Sequence, residues 1–180
     1  MKPILLIIAS QGFQATEYQH TRQALEHPAA TLTAMTVKVA SDQAGTAIAA
    51  DQKTKVAVDL TLDQVNPGDY AGIFLIGGPG ALRHLDQARV HEIMRQAAQS
   101  TTQLWGAICI APRILANAGL LSGRNVTGWD EDQKLAGIFK QAQANYDHAQ
   151  VVVDRDLITA TGPQAATAFG QAIAKALKNS

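Results

Sequence analysis

The sequence predicts an α/β protein, a three-layer α/β/α sandwich with a mostly parallel central sheet. Short continuous apolar runs, such as those at 4–9 and 72–76, are bounded by turn residues, which is typical of strands buried on both faces of a parallel sheet. Segments with helical patterns separate these runs, which indicates right-handed crossovers. A length of 180 residues and a hydrophobic content of 47% favour one domain over residues 1–180.

The elements alternate along the chain from the first strand onward. Residues 44–62 are less regular, and their short β-rich pieces predict a hairpin or ribbon off the main sheet. Gly119 is placed to end a helix in the left-handed conformation. The other predicted elements are strand 4–9, helix 16–26, strand 31–40, strand 72–76, helix 86–99, strand 103–109, helix 111–118, strand 126–127, helix 131–144, strands 151–153 and 157–160, and helix 164–178.

The composition limits the partners and the compartment. Acidic and basic residues number 15 each, so the net charge indicates neither nucleic acid nor a membrane as a partner. The single cysteine excludes an internal disulfide, and no zinc-ligand spacing is present, so we expect a reducing compartment and no metal. The apolar start is too short for a signal peptide or a membrane span. We therefore expect a cytoplasmic protein that binds a small molecule.

Three segments carry the residues that are best placed for chemistry. In open α/β sheets, ligands bind outside the carboxyl ends of the strands. Three segments follow predicted strands and therefore lie at these carboxyl ends: residues 12–17, the glycine cluster 77–80, and Cys109 with Ile110. The glycine cluster lacks the third glycine of a dinucleotide fingerprint and the Lys-Ser/Thr of a phosphate loop. We therefore expect no nucleotide and no other cofactor.

Cys109 has the surroundings of a nucleophile elbow. Small residues precede it, and Pro112 falls early in the next predicted helix, where its missing N–H is harmless. The positive end of a helix stabilises a thiolate and lowers a thiol pKa. The backbone N–H groups of Ile110 and Gly78 are candidates for an oxyanion site. The alternative is that Cys109 is a small buried hydrophobic residue, as most free cysteines are.

Other candidates near this crevice are ambiguous in the sequence. Glu17 follows the first strand, but acids in a first helical turn are also common solvated residues. His20 and His84 are candidate pocket residues, although isolated histidines are more often surface groups. Trp129 is a candidate pocket wall, and a core role is equally compatible with its position.

Taken together, these motifs resemble the ThiJ/PfpI (DJ-one-like) superfamily. The resemblance rests on Gly12-Phe13-Gln14-Ala15-Thr16-Glu17, Ile76-Gly77-Gly78, Gly106-Ala107-Ile108-Cys109 with Ala111-Pro112, Val126-Thr127-Gly128-Trp129, and Leu157 to Pro163. It implies a flavodoxin-like sandwich of the class I glutamine amidotransferase type, usually a homodimer. It also implies that Cys109 is the reactive cysteine, that Glu17 is its protonated acidic partner, and that Gly78 and Ile110 supply the oxyanion-binding amides.

The chain departs from this pattern in ways that bear on activity. Protease and amidase members place a histidine directly after the cysteine, and this chain has Ile110 there. Trp129 stands roughly where some relatives carry a histidine, and Thr161 stands where an arginine is common. Peptide hydrolysis is therefore poorly supported, and the pocket lacks a usual anion-binding group.

Three functions remain open from the sequence. The first is an enzyme in which Cys109 attacks a small electrophile, such as a 2-oxoaldehyde or an isocyanide-like compound, with Glu17 as acid and base. The second is a redox-responsive or chaperone-like stress protein that senses oxidation of Cys109 to sulfinate. The third, an intracellular cysteine protease or amidase, requires His20 or His84 to reach Cys109.

Overall fold

The computed structural model describes residues 2–28 and 32–178. The strands in chain order are β1 Ile4–Ile8, β2 Gln11–Phe13, β3 Val37–Ser41, β4 Thr46–Ala49, β5 Lys55–Ala57, β6 Leu60–Thr61, β7 Gly72–Leu75, β8 Leu104–Ile108, β9 Asn125–Val126, β10 Asn145–Tyr146, β11 Val151–Asp154 and β12 Leu157–Ala160. The helices are α1 Ala15–Glu26, α2 Ala81–Leu85, α3 Ala88–Gln99, α4 Pro112–Asn117, α5 Leu135–Gln141 and α6 Ala166–Lys178.

Seven of these strands form the central sheet, in the order β11-β12-β8-β7-β1-β3-β6. Every neighbouring pair is parallel except β11 with β12. The strands β1, β7, β8 and β12 are buried along their whole length, because helices flank the sheet. The predicted mostly parallel α/β sandwich is confirmed.

Two layers of helices enclose the sheet. Helices α1 and α6 pack on each other, and α6 also contacts β12 and β8. Helix α3 packs on α4, on β7 and on β8. The large fully buried side chains between these layers include Trp105, Phe74 and Phe169, and the rings of Phe74 and Phe169 meet edge to face with centroids 5.6 Å apart.

The irregular segment at 44–62 forms the ribbon that its sequence indicates. Strands β4 and β5 pair antiparallel, and β2 pairs with β4 to complete a small three-stranded sheet. Strand β6 is the exception, because it pairs with β3 at the edge of the main sheet. Strand β3 begins at Val37, later than expected, and residue 31 of that predicted strand lies outside the described residues.

Several predicted helices are shorter than their patterns suggested, and two of them have a clear cause. The helix expected over 86–99 is α3 alone, because Gln87 is extended and the Asp86 carboxylate bonds to His91 and Asn117 instead. The helix expected over 131–144 is reduced to α5, since the carboxylates of Asp132 and Asp130 accept from the N–H groups at the start of the helix, those of Lys134 and Leu135. Gly119 has φ +75°, as the sequence predicts for a helix end.

Across residues 2–28 and 32–178, no helix combines the length and the apolar character that a membrane span needs.

The packing of α1 on α6 depends on Gly170. A Cβ atom at Gly170 would lie 2.7 Å from Ala24 Cβ and 2.8 Å from the Thr21 carbonyl oxygen. We expect Gly170→Ala to lower the free energy of unfolding by about 1 to 3 kcal/mol through overpacking. The matched control is Gly137→Ala in α5, where no atom lies within 4 Å of the new Cβ.

In that control, the better helix propensity of alanine should raise stability by roughly 0.5 to 1 kcal/mol. Urea denaturation of both variants measures the difference. If both substitutions are stabilising, the close approach of the two helices at Gly170 is wrong.

Candidate active site

The geometry of Cys109 is that of a sharp strand-to-helix elbow. It follows β8 and has φ +66°, a left-handed conformation that non-glycine residues rarely adopt. Its N–H donates to the Ala160 carbonyl at 2.9 Å, and its carbonyl accepts from the Trp129 N–H at 2.7 Å. Such backbone strain, of about 1 to 3 kcal/mol, persists only where neighbouring bonds fix it and is frequent at functional sites.

Glu17 lies directly beside this elbow. Its side chain, near the start of α1, is fully buried, and Gln14 caps the helix by accepting from the Thr16 N–H at 2.8 Å. The carboxyl oxygen Oε2 accepts from the Gly77 N–H at 3.0 Å, and the carboxyl group also hydrogen-bonds the Cys109 side chain. Among the described residues, Oε1 has no nitrogen or oxygen partner.

Gly77 makes this close approach possible. A Cβ atom there would lie 2.6 Å from Cys109 Cβ and 2.9 Å from Glu17 Oε2. The next residue, Gly78, has φ +120°, and a Cβ on it would collide with the backbone of Gly12 and Gln14. The glycine pair therefore lets the loop after β7 pass against the elbow and deliver backbone N–H groups to it.

The two amides expected at an oxyanion site point to the sulfur. The backbone N–H groups of Ile110 and Gly78 both hydrogen-bond Cys109. They come from the turn into α4 and from the loop after β7, so two separate elements converge on one atom. This arrangement can stabilise negative charge on sulfur or on an oxygen bound next to it.

Burial dominates the ionisation of the acid and thiol pair. It raises the pKa of Glu17 from 4.5 to about 7, against the lowering effect of the hydrogen bonds from Cys109 and Gly77. Burial also raises the pKa of the Cys109 thiol, and the charge and hydrogen bond of Glu17 raise it further. The elbow amides lower the thiol pKa as expected, but the net lowering predicted from the sequence is wrong because burial and Glu17 outweigh them.

The side chains of Cys109 and Glu17 line a cavity of about 410 Å³. Trp129 forms part of its wall, as the sequence suggested. Gln14 belongs to the segment 12–17 that the sequence placed at this edge, but the sequence did not identify Glu131 and Gln164, because they come from separate loops with no shared motif. The lining residues are Gln14, Glu17, Gly78, Pro79, Cys109, Ile110, Trp129, Glu131, Gly162, Pro163 and Gln164.

The two histidines considered as pocket residues do not line this cavity. His20 is exposed on α1. His84 Nδ1 lies 2.9 Å from Asp42 Oδ2 and 3.4 Å from Ser10 Oγ, in a separate polar cluster. These placements correct the sequence-based suggestion, since helix α1 turns His20 outward and Asp42 holds His84 away from the thiol.

Arg113 is a buried support for the cavity wall that the sequence did not reveal. Its guanidinium donates to both carboxylate oxygens of Asp132, at 2.9 and 2.6 Å, and to the Trp129 carbonyl at 3.3 Å. It also lies 5.4 Å from the centre of the Trp129 ring. Its partners are 16 and 19 residues away, so no local pattern could identify them.

The described residues contain no group of three or more His, Cys, Asp and Glu side chains that could hold a metal ion. A larger and more open groove, of about 730 Å³, runs over α1 and β5 and contains neither Cys109 nor Glu17. The cavity at the elbow is therefore the better candidate active site.

A three-layer sandwich with a cysteine on a strained elbow and a buried glutamate beside it defines a recognisable class of α/β proteins. The sequence model of the DJ-1/PfpI family matches residues 2–176. The chain belongs to this family, which confirms the resemblance drawn from its motifs.

Relatives and solved structures agree with this assignment. An uncharacterized Methanocaldococcus jannaschii protein, MJ0967, is 34% identical over 69% of this chain, which spans 60% of that protein's length. YraA of Bacillus subtilis, provisionally named a cysteine protease, is 27% identical over 99% of this chain and 100% of its own. A ThiJ/PfpI domain protein from Brachyspira murdochii superposes with a TM-score of 0.89 at 25% identity, covering 100% of this chain and 99% of that one.

Drosophila melanogaster DJ-1beta has a TM-score of 0.79 at 27% identity, with 100% of this chain and 92% of that chain covered.

The raised pKa of Glu17 makes stability depend on pH. Between pH 4.5 and about 7 the folded state holds the Glu17 proton more tightly than the unfolded chain, so stability falls as the pH rises through this window. As the pH rises through this window, we expect the free energy of unfolding of wild type to fall by up to about 3 kcal/mol relative to that of Glu17→Gln. Urea denaturation at stepped pH measures this loss.

The matched control is the exposed Glu92→Gln in α3, for which the difference from wild type should stay nearly constant over the same pH range. A Glu17→Gln curve parallel to wild type would contradict burial of an ionisable carboxyl group at this site.

Proposed function

We propose that the protein is a cysteine-dependent enzyme acting on a small electrophilic carbon, of which a 2-oxoaldehyde is the best-supported example. The observation that carries the proposal is the buried Glu17 carboxyl group in hydrogen-bond contact with the Cys109 thiol at a strained elbow. A cavity large enough for a small substrate opens on this pair. Family membership alone does not specify the reaction, since one fold supports several chemistries.

The raised thiol pKa fits a mechanism in which the thiolate forms only as it reacts. Glu17, with a pKa of about 7, is substantially ionised near neutral pH and can take the thiol proton during attack. The ionised acid with a neutral thiol, and the neutral acid with a thiolate, have the same net charge. Moving the proton from Cys109 to Glu17 therefore adds no charge to the buried site.

With a 2-oxoaldehyde, the proposed reaction consists of addition, isomerisation and hydrolysis. The sulfur of Cys109 adds to the aldehyde carbon, Glu17 takes the thiol proton, and that proton passes to the carbonyl oxygen to give a hemithioacetal. Glu17 then removes the proton on the former aldehyde carbon while the ketone oxygen gains a proton, which gives an enediol. A proton is returned at the former ketone carbon, and the hydroxyl group on the sulfur-bearing carbon loses its proton to become the thioester carbonyl. The resulting 2-hydroxy thioester is hydrolysed by one water molecule, which releases the hydroxy acid and restores the thiol.

The amides of Gly78 and Ile110 are proposed to bind the oxygen that gains negative charge in these steps. An isocyanide substrate would use the same groups, with sulfur attack on the terminal carbon and overall addition of water to give a formamide. The reaction on either substrate needs no cofactor. The family resemblance further supports a homodimer, and the single cysteine supports a reducing compartment such as the cytoplasm.

Substitution of the acid and thiol pair tests the enzyme proposal. With methylglyoxal and phenylglyoxal as substrates, Cys109→Ala should abolish formation of the hydroxy acid. Glu17→Gln should lower kcat by about 10²- to 10⁴-fold, the usual contribution of a general acid or base. The exposed His20→Gln variant should keep kcat and KM within about twofold, as a surface change does.

Chromatographic detection of lactate and mandelate measures turnover directly. Equal rates in wild type and Cys109→Ala, or no turnover across oxoaldehydes and isocyanides, would exclude the enzyme proposal.

A redox-sensing role is the second candidate, and the unpartnered Oε1 of Glu17 favours it. A protonated Glu17 could donate a hydrogen bond to an oxygen of a Cys109 sulfinate. The raised thiol pKa argues the other way, because the thiolate is the form that peroxide oxidises. Peptide hydrolysis is less supported, since neither His20 nor His84 lines the cavity.

Mild peroxide treatment followed by intact mass measurement tests the redox role. If Cys109 is a sensor, wild type should gain two oxygen atoms and stop at the sulfinate, whereas Glu17→Gln should progress further or react more slowly. A thiol that stays reduced in both proteins would exclude this role.

A further inference from the structure

The cavity above Cys109 carries negative charge without a compensating cation. Its ionisable lining side chains, apart from the thiol, are Glu17 on the inside and Glu131 near the mouth, and no Arg, Lys or His of the described residues lines it. Glu131 is exposed and makes no ion pair or hydrogen bond with another described residue. Its carboxylate is therefore free to act on an incoming molecule.

Arg113 does not supply the missing positive charge. It is 7% exposed and lies behind Trp129, where its guanidinium makes two bonds to Asp132 and one to the Trp129 carbonyl. The Asp132 carboxylate neutralises it at a separation of 2.6 Å. The positive charge belongs to the wall of the cavity and is already paired.

The remaining polar groups of the cavity are neutral. Gln14 Oε1 accepts from the Thr16 N–H, which leaves its amino group as the part of that side chain without a partner among residues 2–28 and 32–178. The Gln164 amide likewise has no hydrogen bond to another described residue. Pro79, Trp129 and Pro163 supply apolar surface between these amides. Such a lining suits an uncharged carbonyl compound.

We propose that this cavity selects uncharged electrophiles over carboxylate-bearing ones, and that Glu131 is a specificity-determining residue. An anion entering it would lose hydration without gaining a cation, and it would be repelled by the Glu131 carboxylate and by Glu17 in its ionised form. The inference rests on the proposed function for the reaction itself, and it narrows the substrate class. Neutral 2-oxoaldehydes are accepted, and 2-oxoaldehydes that carry a carboxylate group are rejected.

Alkylation of Cys109 tests the charge selection without any turnover. Iodoacetamide and iodoacetate are close in size and differ by one negative charge. Because the chain has one cysteine, the mass that wild type gains beyond Cys109→Ala under the same treatment reports the reaction at Cys109. The same measurement on the chain unfolded in urea gives the ratio of the iodoacetamide and iodoacetate rates for a thiol without the cavity around it. We expect the ratio of iodoacetamide to iodoacetate rates to be about tenfold higher in the folded protein.

A charge series at one position isolates the part played by Glu131. Glu131→Gln should raise the iodoacetate rate about two- to fivefold, and Glu131→Lys about tenfold, with the iodoacetamide rate changed less than about twofold. The exposed Glu92→Gln variant, outside the cavity, should leave both rates unchanged. About 0.5 M salt should reduce the differences within the series, because it screens an exposed charge.

The outcomes separate this inference from the proposed function. A raised ratio that follows the charge series supports selection by Glu131 even if methylglyoxal is never turned over. Equal ratios in the folded and unfolded protein, or no response to the series, overturn the inference even if methylglyoxal is converted. Turnover of 4-carboxyphenylglyoxal at the rate of phenylglyoxal overturns it as well, because the two share the reacting group and differ by one carboxylate. A thiol that reacts with neither reagent in the folded protein shows that Cys109 is not available as a nucleophile and overturns both proposals.

Discussion

The contact between the Glu17 carboxyl group and the Cys109 thiol is the constraint around which the site is arranged. A carboxyl group that is fully buried needs hydrogen bonds to offset its lost hydration. The Gly77 N–H and the thiol supply them. Gly77 can do so only because it has no Cβ, since the space a Cβ would fill is occupied by Cys109 and Glu17 themselves.

The sheet holds this contact in place. The loops after β1, β7 and β8 meet at one edge because their strands are parallel neighbours. The Cys109 N–H donates to the Ala160 carbonyl and the Trp129 N–H donates to the Cys109 carbonyl, and these two bonds fix the strained elbow from two further directions. Cys109 keeps its strained φ of +66° because the surrounding packing and hydrogen bonds hold it there. This conformation keeps the sulfur directed at the cavity.

The same burial explains why the thiol does not behave as the elbow alone suggests. The amides of Ile110 and Gly78 favour a thiolate, but loss of water and a nearby carboxyl group favour the neutral thiol. Burial therefore favours the protonated form of both groups, and the charge of Glu17 raises the pKa of the Cys109 thiol. This coupling suits an acid and base pair that exchanges its proton with a substrate, and it suits a permanently charged nucleophile less well.

The sequence by itself determined the α/β class, most of the strands, and the elements that carry Cys109, Glu17 and Gly78. Buried parallel strands leave continuous apolar runs, and turns with positive φ leave glycines, so both are visible locally. Only the tertiary structure decided which side chains share the cavity. Glu131 and Gln164 join the cavity from loops distant in sequence, Arg113 pairs with Asp132 behind its wall, and Asp42 holds His84 outside it. The tertiary structure also decided that the pKa of the Cys109 thiol is raised, because the burial of the thiol depends on all the elements packed around the site.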